Sequence, residues 1–61
     1  MDKLLAYLNQ AAERRTELEG LLRTASAGVA DWGAITATLV SLKANLVSAA
    51  AEAKALAEEQ G

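Results

Sequence analysis

Cysteine, histidine, proline and phenylalanine are all missing from this 61-residue chain, and only Tyr7 and Trp32 are aromatic. Each absence narrows the reading. Without Cys there is no disulfide to staple a small fold, which fits a reducing cytoplasm. Without His or Cys the common general base, the thiolate nucleophile and the soft metal ligands are gone. Without Pro nothing in the chain forbids a long helix. Without Phe any core must come from Leu, Ala, Val and Ile. The charge is also one-sided only weakly, at a formal net −2, so no basic field draws nucleic acid to the surface.

What remains is rich in helix formers. Apolar residues make up 52% of the chain, mostly Ala and Leu, a balance that favours helix throughout. A chain this short buries only about 60% of the surface its unfolded form exposes, and is marginal alone. Small domains gain stability from disulfides, metals or oligomerisation. Association is the device left to this one.

Two stripes organise the sequence. In the first half they are Leu4, Leu8, Ala11, Arg15, Leu18, Leu22, Ala25 and Val29. In the second they are Ile35, Leu39, Leu42, Leu46, Ala49, Ala53 and Leu56. Steps of four and three alternate in both, the mark of a coiled-coil-like helix face. The register breaks near Trp32, where Gly28, Asp31 and Gly33 cluster. Gly28 can take the left-handed conformation that ends a helix, with Val29 folding back on the last turn. Asp31 is a good N-cap for a second helix, and Asp2 for the first. The expectation is one all-α domain over 1–61: a helix over 2–27, a turn over 28–31 and a helix over 32–59. A continuous rod with a stammer near residue 32 is the alternative. So short a turn makes the helices antiparallel neighbours. Counting outward from it pairs Ala25 with Ile35, Leu22 with Leu39, Leu18 with Leu42, Arg15 with Leu46, Ala11 with Ala49 and Leu4 with Leu56.

The apolar faces are broader than one seam. Leu5, Ala12 and Leu21 flank the first stripe; Val40, Val47, Ala50 and Ala57 flank the second. Uncovered, they would form the kind of patch that marks an interface. Two hairpins closing into a four-helix bundle would cover it, with a two-fold homodimer as the default symmetry. The expected interface is Leu4, Leu5, Leu8, Ala11, Arg15, Leu18, Leu22, Ile35, Leu39, Val40, Leu42, Leu46, Val47 and Leu56.

No catalytic constellation, cofactor motif or metal-ligand spacing is legible, so a non-enzymatic role with no cofactor is expected. Pairs such as Glu13 with Glu17 read as a solvated helix face. Residues 1–10 lack the apolar run of a secretory signal. Residues 33–51 are the most apolar stretch, but Lys43 and Asn45 interrupt it, and no membrane span is expected. Arg15 is the oddity of the first stripe. It either snorkels, with its methylenes over the core and its guanidinium at water or Glu19, fixes register like a polar coiled-coil residue, or joins Arg14 and Arg23 in contacting a partner or nucleic acid. Trp32 plugs the end of the bundle over Val29 and Ala25, or stands exposed as a partner contact.

The layout resembles that of the Rop-type plasmid RNA-binding regulators, which are antiparallel hairpins of similar length that dimerise into four-helix bundles. The likeness spans the whole chain as pattern, without a shared RNA-contact motif. It implies the bundle, with RNA binding as its functional alternative. The first expectation remains a cytoplasmic interaction or structural protein acting by helix–helix contacts. It would work as a homodimer or as a small subunit of a larger assembly such as a phage particle, with nucleic acid the less favoured partner.

Overall fold

The computed structural model describes residues 1–28 and 30–60. Two helices account for nearly all of them: α1, Asp2–Ser26, and α2, Trp32–Gln60. They pack side by side along their length as an antiparallel hairpin 51 Å long and 15 by 12 Å across. Each helix ends within one residue of the expected position, α1 stopping at Ser26 and α2 running on to Gln60.

The turn is built by local chemistry. Gly28 has φ +98°, a left-handed conformation that costs an L-residue roughly 1–2 kcal/mol. Its N–H donates to the Ala25 carbonyl at 3.0 Å, while the Ala27 N–H is shared between the Arg23 and Thr24 carbonyls. Those bonds satisfy the last carbonyls of α1. The expected fold-back of Val29, and its place beside Trp32, lie outside the described residues.

Asp31 then starts α2. Its carboxylate accepts from the Ala34 N–H at 3.0 Å, and its carbonyl accepts from the Ile35 N–H. This is an N-cap in the expected place. Asp2 behaves differently: Met1 takes the cap position of α1 without a side-chain bond, and Asp2 falls inside the first turn. There its charge still faces the positive end of the helix dipole.

The helices meet on small residues. The buried positions are Ala11, Ile35, Thr38 and Ala49. Half-buried around them are Leu4, Tyr7, Arg14, Leu18, Leu21 and Ala25 in α1, and Ala34, Ser41, Leu42, Asn45, Ser48, Glu52 and Leu56 in α2. Thr38 solves its own burial by donating its hydroxyl to the Ala34 carbonyl at 2.9 Å, the back-bond open to a helical Thr.

The seam is thereby turned from the expected one. Leu4, Ala11, Leu18 and Ala25 face inward as anticipated, as do Ile35, Leu42, Ala49 and Leu56. Their companions are the residues three further on (Tyr7, Arg14, Leu21; Thr38, Asn45, Glu52), not those four further on (Leu8, Arg15, Leu22; Leu39, Leu46, Ala53). Both sets continue the heptad with equal regularity, so spacing does not choose between them. Burial does: Tyr7, Arg14, Leu21, Thr38, Asn45 and Glu52 are buried or half-buried, whereas Leu8, Arg15, Leu22, Leu39, Leu46 and Ala53 are exposed.

Candidate functional site: the exposed apolar face

Rotating the seam inward by one row puts the apolar stripe outside. Leu5, Leu8, Leu22, Leu39, Val40, Leu46 and Val47 are all exposed. Leu46, at the middle of α2, keeps 48% of its surface in water, against 4% for Ile35 in the seam. In an antiparallel pair the flank four residues past the seam falls on the same side of both helices. Leu8 and Leu22 therefore share one long face of the hairpin with Leu39 and Leu46.

On α2 this face is a shallow, wide-open apolar groove of about 390 Å³ lined by Leu39, Leu42, Lys43, Leu46, Val47 and Ala50. Only Lys43 among them carries a charge, and its stem can lie along the apolar wall with its ammonium in water.

The surface as a whole is large for the chain's size. A compact chain of 6.3 kDa exposes about 3,700 Å², whereas this elongated hairpin, 51 Å long and 15 by 12 Å across, exposes 4525 Å² of polar and apolar surface together.

The expected interface residues divide accordingly. Leu4, Ala11, Leu18, Ile35, Leu42 and Leu56 line the hairpin's own seam. Leu5, Leu8, Leu22, Leu39, Val40, Leu46 and Val47 lie outside it. Trp32 does not plug the hairpin: it is 64% exposed at the first position of α2.

Arg15 is displaced most from its expected layer. Its side chain is 77% exposed and its Nε lies 3.2 Å from a Glu19 carboxylate oxygen. It neither reaches the hairpin core nor packs on Leu46 within the chain. Its neighbour Arg14 takes the inward place. The Arg14 guanidinium bonds Glu17 at 2.9 Å and lies 3.7 Å from Glu13, but its Nε is buried with no hydrogen-bond partner. Arg23 lies 3.8 Å from the second Glu19 oxygen. Each arginine of α1 thus has a carboxylate within 4 Å, and the basic residues do not gather into an unneutralised patch.

Among the described residues no three carboxylates come together as a metal site, and Lys43 is the one ionisable side chain in the groove wall. One feature of α2 is independent of the hairpin: by length and composition it is able to cross a membrane, with a mean hydropathy of 1.4 over its most apolar window.

Fold and face together define an antiparallel helical hairpin with a thin, partly polar seam and an apolar outer wall. Comparisons with protein-family models, with curated proteins and with solved structures find no match to this chain.

Proposed function

We propose that the chain is a non-enzymatic interaction protein whose working surface is the Leu8, Leu22, Leu39 and Leu46 face, and which self-associates through it into a four-helix bundle of coiled-coil character. The single observation that carries this reading is a second row of large apolar side chains left in water. Leu5, Leu8, Leu22, Leu39, Val40, Leu46 and Val47 are exposed, while Thr38, Asn45, Ser48 and Glu52 share the seam with Leu4, Leu18, Ile35, Leu42 and Leu56. A monomer arranged so keeps those side chains in water, and association that covers them gains about 25 cal/mol per Å² of apolar area buried. As a cytoplasmic homodimer it would serve as an adaptor or as a small structural subunit of a larger assembly, phage particles among them.

The Rop-like RNA-binding reading finds less support. The Glu19 carboxylate lies between Arg15 and Arg23, and Glu17 holds Arg14. Such pairs weaken the attraction for phosphate that RNA binding draws on. A membrane-spanning α2 would place Lys43 and Asn45 near the centre of the bilayer, where a Lys costs roughly 2.5–3.5 kcal/mol.

Light scattering on the purified protein in plain buffer tests the proposal. A particle of twice 6.3 kDa is expected. A helical monomer that stays monomeric at high concentration would refute it, as would solubility only in detergent.

A further inference from the structure

We infer that the occupant of the α2 groove is α1 of a second copy, in a dimer whose turns lie at the same end. This inference rests on the self-association just proposed and adds its geometry.

Two closed arrangements can cover the face with antiparallel neighbours only. If the two-fold axis runs along the hairpin, α1 lies on α2 of the partner and the turns are together. If the axis crosses the hairpin at its middle, α1 lies on α1, α2 lies on α2, and the turns are at opposite ends. Levels counted outward from the turn then give the residues that meet in each case.

With the turns together, Leu22 meets the partner's Leu39 and Leu8 meets the partner's Ala53. Along the outer edge, one residue past the seam row, Leu5 meets the partner's Ala57 and Ala12 meets the partner's Ala50. In the same edge row, Glu19 meets the partner's Lys43. Apart from Arg15, which lies level with the partner's Leu46, each of these matches is apolar on apolar or acid on base. The groove that Lys43 borders is then filled by α1, and Arg15 lays its stem over the partner's Leu46 while keeping its Glu19 contact.

With the turns apart, Arg15 meets the partner's Arg15 on the axis. Ala12 meets the partner's Glu19, and Lys43 meets the partner's Ala50. Like charges face each other at the centre, and two charged groups are set against alanines. Like-charge contacts across an interface disfavour the wrong pairing. Arg15 therefore acts as an orientation residue, excluding the turns-apart dimer.

The test uses two charge reversals, E19K and K43E, on exposed positions. Each alone sets like charges opposite one another at both edges of its homodimer. Mixed, the two chains restore opposite charges at both edges. The heterodimer is expected to exceed the homodimers by roughly tenfold over the statistical ratio, read by native mass spectrometry. The i, i+4 contacts of Glu19 with Arg15 and Arg23 are lost equally in the homodimer and heterodimer, so they cancel.

A second measurement reads orientation directly. Nitroxides on Ala27→Cys, beside the turn, are expected about two helix diameters apart, roughly 20 Å. A spacing near the 51 Å length of the hairpin overturns the turns-together geometry while leaving self-association intact. So does statistical mixing of E19K with K43E. A wild-type chain that never dimerises overturns both.

Discussion

The inner seam and the outer face of this hairpin are made from the same two heptads, and they differ in how their side chains are mixed. The seam takes Leu4, Leu18, Ile35, Leu42 and Leu56 but sets alanines, hydroxyls, Asn45 and part of Arg14 among them. The outer face takes Leu8, Leu22, Leu39 and Leu46. Small residues bring backbones close but bury little oily area; large residues bury much area but only against a surface able to receive them. The hairpin mixes both kinds in its seam and keeps a further row of the second kind for association. A thin seam beside a strong outer wall means that folding and assembly are expected to be coupled.

Substitutions that separate the two surfaces test that division. The largest effect is expected inside. Ile35→Ala removes the most buried large side chain, and thermal or urea unfolding is expected to show a loss of about 3 kcal/mol. A loss below about 1 kcal/mol, the usual range for a minor surface change, would mean that the seam is not where folding energy is held. On the outside, Leu46→Asp is expected to weaken self-association about 100-fold, in line with loss of a central interface anchor. An unchanged dissociation constant would remove Leu46 from the interface.

Smaller effects sharpen the picture of the seam and its closure. Gly28→Ala is expected to cost about 1–2 kcal/mol, because φ +98° disfavours any side chain although nothing crowds the site. An equally stable variant would show that the turn can relax. Arg14→Leu is expected to stabilise the chain by about 1 kcal/mol by deleting the unpartnered buried Nε. Loss of stability instead would show that the Glu17 contact matters more than the orphaned nitrogen. Last, Gly20 lies inside α1 with no atom within 4 Å of a built Cβ. Gly20→Ala is expected to gain a little under 1 kcal/mol, and a destabilised variant would point to a close contact at that position made only in the assembly.

Much of the fold was legible in the sequence. Gly28 and Asp31 mark the turn because each offers a backbone service that few residues can: a left-handed φ and a carboxylate for free amides. The alternation of four and three marks two helices and their antiparallel neighbourhood. The identity of the inward row was not legible. Following the apolar stripe selects Leu8 and Leu22 and carries Arg15 with them, whereas the residues that lose exposure are Tyr7, Arg14 and Leu21. The usable signal was the run of small residues at Ala34, Thr38, Ser41, Ser48 and Ala49, which points at the close neighbour more reliably than the leucines do. By spacing Arg15 reads as a member of the inward stripe, which it is not, but Glu19, the carboxylate expected to receive its guanidinium, is the one it meets. The candidate site itself, the broad apolar flank with Leu5, Val40 and Val47, was visible from the start as more oily surface than one groove can hold.

The most direct test is the melting temperature measured by circular dichroism over a roughly hundredfold range of protein concentration, since mass action raises the apparent stability of any species that folds as it associates. The account predicts a melting temperature that climbs steadily with concentration. A cooperative transition at one fixed temperature throughout that range would contradict it, because the hairpin would then be standing on its own seam.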